Sequence, residues 1–133
     1  MDNKDNIIDC SILSETNLTY SKKIKELKTV LNYIAVNYHN DITLNDLADC
    51  IHMNPNYFCK FFKELTQKTP VEYLNSYRIG IAMRLLEQST YSVTEIGYMV
   101  GFENPKNFRR IFKKYVNMIP SDYRISYLEG LSL

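Results

Sequence analysis

The 133-residue sequence is poor in the residues that interrupt regular structure, with only four glycines and four prolines. So few turn formers exclude the many short strands of a β-sandwich or barrel. Long apolar runs are also missing, and the acidic N-terminus lacks the basic and apolar regions of a signal peptide. We therefore expect a helical protein of about one domain, with no membrane partner.

An excess of charge of one sign is missing too, because 16 basic residues stand against 15 acidic ones and leave a net charge of +1. This balance by itself indicates no nucleic acid partner. The three cysteines are few and odd in number, which favours reduced thiols and a cytoplasmic location. The sequence contains no zinc-site spacing, no nucleophile elbow and no phosphate-loop motif. We therefore expect that the protein binds no metal or cofactor and is not an enzyme.

Residues 1–20 form an acidic polar segment without a sustained period, in which Lys4 against four acids gives a net charge of −3. This composition predicts a tail or an interdomain linker. From Ser21 onward, apolar residues recur at helical spacing, which predicts a helix that begins there with Ser21 as its cap. Residues 21–133 consequently carry a net charge of +4.

The prolines reveal an internal repeat. They form two pairs with an internal spacing of 15 residues and an offset of 50: Pro55 and Pro70, then Pro105 and Pro120. Residues 43–73 align with residues 92–123 around them, with Glu103 as one extra residue in the second copy. A period of about 50 does not fit a 34-residue helical-pair array, and two copies are too few for a solenoid.

Each copy has the pattern of a helix, a tight turn and a second helix. The first helix begins with a hydroxyl and an acid three residues later, a near capping box at Thr43 and Asp46 and a true one at Ser92 and Glu95. The second helix begins with Asn-Pro, a cap followed by a proline at the first helical position. The sequence therefore predicts two helix-turn-helix units.

A row of aromatic and aliphatic residues predicts the buried face of each second helix. The rows are Phe58, Phe61, Phe62 and Leu65, and Phe108, Ile111, Phe112 and Tyr115. Small residues in the preceding helices, Ala48 and Gly97, would let the second helices approach closely. The opposite faces then carry Asn56, Tyr57, Cys59, Lys60 and Lys63, and Lys106, Asn107, Arg109, Arg110 and Lys113, with Lys114 beside them. Asparagine, lysine and arginine on short exposed helices reach base edges and phosphates in a major groove, so all of these except Cys59 and Lys114 are candidate DNA-binding residues.

Between the copies, residues 71–87 show one long helical pattern, with Leu74, Tyr77, Ile81 and Leu85 in register. A helix of roughly 18–20 residues spans about 30 Å, near the ~34 Å of one DNA turn. The predicted fold is all-α: a first helix-turn-helix subdomain with the linker helix at residues 21–89, and a second subdomain with a C-terminal tail at 90–133. We expect a sequence-specific double-stranded DNA-binding protein that inserts two recognition helices into successive major grooves. The alternative is a helical protein-interaction module whose basic face binds an acidic partner.

Seven short motifs together resemble the DNA-binding domain of the AraC/XylS family of bacterial transcription regulators, over about residues 24–127. They are Ile42-Thr-Leu-x-x-Leu-Ala, Met53-Asn-Pro-x-Tyr-Phe-x-Lys-x-Phe-Lys, Pro70-x-x-Tyr73, Tyr77-Arg78-Ile79-x-x-Ala82-x-x-Leu85-Leu86, Ile96-Gly-x-x-x-Gly101-Phe102, Phe108-x-Arg110-x-Phe112-Lys113 and Pro120-x-x-Tyr123-Arg124. The combination is highly specific, whereas no single motif is.

The resemblance implies a seven-helix domain with two units that bind adjacent major grooves. The positions of its base contacts correspond here to Asn56, Lys60, Pro105, Lys106, Arg109 and Arg110. It further implies RNA polymerase as a partner, and a separate effector or dimerisation domain outside this chain. Since residues 1–20 cannot form such a domain, we expect the chain to be the C-terminal portion of a longer protein.

Overall fold

The computed structural model describes the backbone of residues 3–132 and the side chains of residues 17–131. Seven α-helices and no strand form this part of the chain: α1 (Asn3–Asn37), α2 (Leu44–Asp49), α3 (Pro55–Thr66), α4 (Pro70–Gln88), α5 (Val93–Met99), α6 (Pro105–Val116) and α7 (Pro120–Ser132). The predicted all-α class with about seven helices is confirmed. The helix-turn-helix pairs are α2–α3 and α5–α6, and α4 links them.

The start of α1 differs from the prediction. The helix begins at Asn3 rather than at Ser21, so the proposed Ser21 cap is wrong. Neither glycine nor proline occurs before Pro55, so nothing in the polar segment interrupts the helix. Asn17 through Tyr20 lie exposed, and the side chains of residues 1–16 are outside the described part. That residues 1–20 link this domain to another one stays a prediction.

All four prolines occupy the first position of a helix, as the sequence predicts for Pro55, Pro70, Pro105 and Pro120. An asparagine caps both α3 and α6: Asn54 accepts from the backbone N–H of Asn56 at 2.9 Å, and Asn104 accepts from that of Asn107 at 2.7 Å. These caps satisfy backbone donors that have no partner inside the helix. The direction in which α3 and α6 start is therefore set by residues next to them in the sequence.

Both capping boxes are complete, including the one predicted as only a near match. At α2 the Asp46 N–H donates to the Thr43 hydroxyl at 3.1 Å, and the Thr43 N–H donates to the Asp46 carboxylate at 2.9 Å. Ser92 and Glu95 make the same pair of bonds at α5. The shorter aspartate thus replaces the usual glutamate without loss of either bond.

Two hydrophobic cores lie on either side of α4. The first is formed by α1, α2, α3 and the start of α4 around fully buried Phe58 and Phe62. The second is formed by α4, α5 and α6 around fully buried Phe108 and Phe112. The two predicted rows are therefore buried, except that Leu65 and Tyr115 are half-buried.

The linker helix α4 contributes side chains to both cores, so its buried residues differ from those predicted. Of the four residues expected in register, only Leu74 is buried, in the first core; the other three, Tyr77, Ile81 and Leu85, are half-buried. Ile79, Ala82 and Leu86 enter the second core instead. A single stripe cannot describe a helix that packs against two cores on different sides.

The tight turns and close contacts between helices follow the repeat. A Cβ atom on Gly97 would lie 2.8 Å from Cδ2 of Phe108, so the predicted close approach of α5 and α6 is confirmed. His52 and Gly101, which align in the two copies, both have positive φ, at 56° and 108°. Each unit therefore turns between its helices through a left-handed backbone conformation at the same place.

Candidate nucleic-acid interface

The second helices of the two pairs, α3 and α6, each expose to solvent the face opposite their buried row. Eight of the nine candidate residues lie exposed there: Asn56, Tyr57, Lys60, Lys63, Lys106, Arg109, Arg110 and Lys113. The ninth, Asn107, is half-buried, and so is Cys59, which the pattern places on the exposed face. The structure thus brings four candidates together on α3 and five on α6.

The two faces differ in charge. Helix α6 carries five basic residues and no acidic one, whereas α3 carries two lysines and Glu64. Lys113 and Lys114 lie in the last turn of α6, where the negative end of the helix dipole favours cations. The face of α6 is therefore the more strongly positive of the two.

One side-chain pair organises the face of α6. The Oδ1 atom of Asn107 accepts a hydrogen bond from a terminal nitrogen of Arg110 at 2.7 Å. Because the Asn107 backbone N–H donates to the Asn104 cap, Asn107 is fixed at the start of the helix and holds the guanidinium beside it. The aligned pair on α3 is Tyr57 and Lys60, where Tyr57 leaves 57% of its surface exposed.

Contacts with α4 and α7 hold the second unit in place. The hydroxyl of Tyr115, near the end of α6, donates to the Glu72 carbonyl in the first turn of α4 at 3.3 Å. Arg124 of α7 donates to the carbonyls of Leu86 and Ser89 at the end of α4, at 3.0 and 3.3 Å. Helix α6 is therefore bound to the start of the linker helix, and α7 to its end.

Sequence reasoning missed one exposed aromatic residue of the second unit. Tyr98 on α5 leaves 54% of its surface exposed, one helical turn after exposed Thr94. In a helix-turn-helix, the first helix lies across the DNA backbone, where a tyrosine hydroxyl can donate to a phosphate. Its spacing of four from Thr94 places both residues on one exposed side of α5, away from the apolar stripe. Asp49 occupies the aligned position in α2.

The described residues contain neither a cluster of metal-ligating side chains nor a membrane-spanning helix. Among these side chains, no three His, Cys, Asp or Glu residues stand close enough together to hold a metal ion. None of the helices in the described part of the chain combines the length and the apolar character needed to cross a membrane.

Comparison with protein families agrees with this geometry. The profile of a family described as a helix-turn-helix domain matches residues 47–126, which include α3 through α6. This match covers more than half of the chain and both recognition helices.

Two curated relatives are bacterial regulators. An uncharacterised HTH-type transcriptional regulator, YdeC of Bacillus subtilis, is 35% identical over 102 residues, which cover 77% of this chain and 35% of that protein. The melibiose operon regulatory protein of Escherichia coli K12 is 30% identical over 118 residues, covering 85% of this chain and 39% of that protein. The chain thus spans little more than a third of these relatives' length.

Two solved structures are similar in fold and in sequence. The DNA-binding domain of the transcriptional factor AdpA, in complex with a target DNA, has a TM-score of 0.73 and 32% identity, and the match covers 76% of this chain and 91% of that one. The C-terminal domain of the response regulator yesN from Fusobacterium nucleatum has a TM-score of 0.70 and 31% identity, over 76% and 97% of the two chains. The first of these structures contains DNA bound to the same fold.

Proposed function

The chain belongs to the AraC-type helix-turn-helix family of transcription regulators, and we propose that it binds double-stranded DNA sequence-specifically by placing α3 and α6 in successive major grooves. The observation that carries this proposal is the exposed surface of α6. Five basic residues lie there, and α6 has no acidic residue that would offset their charge. The buried row on the opposite side of α6 keeps this surface exposed to solvent. The aligned surface of α3 is a second candidate contact surface with less positive charge.

The length of α4 supports the two-groove mode. Its 19 residues span about 28 Å at a rise of about 1.5 Å per residue, near the ~34 Å that separates equivalent major grooves on one face of DNA. The difference favours some bending of the DNA toward the protein. One chain would then engage both half-sites without a second copy.

The exposed residues divide by chemistry into two roles. Arginine and lysine near the start of a recognition helix reach guanine edges, whereas residues farther along contact phosphates. We assign base contacts to Asn56, Lys60, Lys106, Arg109 and Arg110, and phosphate contacts to Tyr57, Lys63 and Lys113. Pro105 acts by setting the direction in which α6 starts, and Asn107 acts by orienting Arg110.

We propose a cytoplasmic regulator that also contacts RNA polymerase and that receives its signal, or dimerises, through a domain outside residues 21–133. Residues 1–20 would link the two domains. The relatives' greater length supports this arrangement, since more than half of each lies outside the matched region.

Selection of bound duplexes from a random pool tests the proposal. The expected result is a bipartite motif whose two half-sites lie about 10–10.5 base pairs apart, centre to centre. Binding to the selected duplex should also weaken steeply with salt, because the basic side chains displace counterions from phosphates. Weak binding without any enriched motif would contradict the proposal and favour a module that binds acidic proteins.

A further inference from the structure

A buried arginine in the linker helix joins the two units. Arg78 lies in α4 with only 9% of its surface exposed. Its Nε donates to the Tyr38 carbonyl at 2.7 Å, and a terminal nitrogen donates to the Asn40 carbonyl at 2.9 Å. Both carbonyls lie just beyond the end of α1, so Arg78 binds the segment that leads into the first helix-turn-helix.

The same guanidinium touches the turn of the second unit. Its central carbon lies 5.7 Å from the centre of the Phe102 ring, and Phe102 belongs to the second core. A Cβ atom on Gly101 would lie 2.7 Å from the Tyr38 carbonyl oxygen and 2.9 Å from Nε of Arg78. The turn between α5 and α6 thus packs directly against the end of α1.

Tyr38 completes this junction, because its side chain packs against both hydrophobic cores. Its ring centre lies 5.3 Å from that of Tyr77, the residue before Arg78 in α4. The junction therefore consists of four residues. Tyr38 follows the end of α1, Arg78 lies in α4, and Gly101 and Phe102 lie in the turn between α5 and α6.

The chemistry of Arg78 makes this junction resistant to rearrangement. Burial lowers the pKa of Arg78, while the negative charge of Asp41 raises it, and an arginine keeps its proton in proteins. A buried charge that loses its hydrogen-bond partners is strongly unfavourable. Rotation of one unit against the other would separate the guanidinium from the two carbonyls or from Phe102, and is therefore opposed.

From this we infer that Arg78 is a positioning residue that sets the spacing between the two DNA half-sites the chain accepts. The inference rests on the proposed two-groove function. Each added base pair moves a half-site by about 3.4 Å and turns it by about a tenth of a helical turn, so a rigid junction accepts one spacing. A loosened junction would let α6 follow a displaced groove.

Binding to a series of duplexes tests this role. The duplexes carry the selected half-sites at the selected spacing, or with one or two base pairs inserted or removed. The wild type should lose about tenfold or more in affinity for each altered spacing. Arg78→Met, which keeps the length but removes the donors, should reduce that discrimination at least threefold, and Arg78→Lys, which keeps the charge but not the fork, should reduce it partly.

Two further measurements separate positioning from stability. Ile96→Val trims a fully buried side chain of the second core that is not one of the four junction residues, and it should lower stability while keeping the wild-type spacing preference. Residual dipolar couplings measured without DNA should show that the two units change or lose their fixed relative orientation in Arg78→Lys and Arg78→Met.

The outcomes distinguish the inference from the proposed function. A folded Arg78→Met or Arg78→Lys protein that keeps both the spacing discrimination and the relative orientation of the units would overturn the role of Arg78 alone. A wild type that binds every spacing equally would overturn the rigid junction and the spacing role of Arg78, whereas a wild type that binds a single half-site as tightly as the complete selected duplex would overturn the two-groove mode itself.

Discussion

The amide oxygen of Asn107 accepts a hydrogen bond from the guanidinium of Arg110 at 2.7 Å, one turn along the same helix. An arginine has five donors, so this bond leaves the others free for a base edge while it restricts the orientation of the side chain. Asn107 is half-buried and its backbone supports the helix cap. We therefore expect Asn107 to act through Arg110 rather than on DNA directly.

Replacement of Asn107 tests this arrangement. Asn107→Ala removes one hydrogen bond worth about 0.5–1.5 kcal/mol, and should lower the preference for the selected duplex over random DNA by about 2- to 10-fold. Competition binding followed by fluorescence anisotropy measures that ratio. In an Arg110→Ala background the same change should have little further effect, because the two residues form one unit. Fully additive losses would show that Asn107 contacts DNA on its own.

A matched pair on α6 separates base contact from phosphate attraction. Arg110→Ala should cost about 1–3 kcal/mol on the selected duplex and relax base preference at one position, whereas Lys114→Ala should weaken binding to all sequences alike. Lys114 lies in the last turn of α6, away from the helix start that reaches base edges. Equal losses on selected and random DNA for Arg110→Ala would remove it from the base contacts.

Gly97 and Gly80 form a second matched pair of sites, at which an added methyl group should change the stability of the fold in opposite directions. Gly97→Ala places a Cβ atom 2.8 Å from the buried Phe108 ring and should lower the free energy of unfolding by about 1–3 kcal/mol. Gly80 lies in the middle of α4 on its solvent-exposed side, and no atom lies within 4 Å of an added Cβ. Gly80→Ala should therefore raise the free energy of unfolding by about 0.5–1 kcal/mol. Urea denaturation measures both changes. Shifts of the same sign would contradict the packing described here.

The local features of the fold could be predicted from the sequence because local chemistry determines them. All four prolines begin helices, since a missing N–H costs nothing at that position alone. Polar residues without a helix breaker are compatible with either a tail or a helix, which is why the start of α1 was predicted wrongly.

The contacts that join distant segments could not be predicted. The carbonyl partners of Arg78 lie 38 and 40 residues away in the chain, and no periodic pattern links them. In the same way, the pattern places Asn107 on the exposed face of α6 but does not show that Arg110 occupies its side-chain oxygen. These contacts depend on tertiary packing and on the choice of rotamer.

A tyrosine of α7 that contacts the end of the linker helix makes stability depend on alkaline pH. The Tyr123 hydroxyl donates to the Glu87 carboxylate, and burial, together with this bond, raises the pKa of Tyr123 to about 12. Since the unfolded value is about 10, the contribution of the neutral hydroxyl is complete below pH 10 and is lost as the pH rises toward 12. Tyr123→Phe should therefore lose less stability than the wild type over this interval.

Urea denaturation at several pH values between 9 and 12 measures the difference between the two proteins. Other titrating groups affect both proteins equally, so the difference between the two curves reports on Tyr123. Tyr91→Phe, at an exposed tyrosine, serves as the control and should follow the wild-type curve. Identical pH dependence for Tyr123→Phe and the wild type would contradict the coupling to Glu87.

A hydroxyl-radical footprint on the selected duplex tests the central claim most directly, because it shows where the backbone is covered. With α3 and α6 in successive major grooves, we expect two protected regions about 10–10.5 base pairs apart on one face of the DNA. Lys106→Ala combined with Arg109→Ala should weaken only the region that α6 covers. A single protected region, or uniform protection along the duplex, would contradict the account.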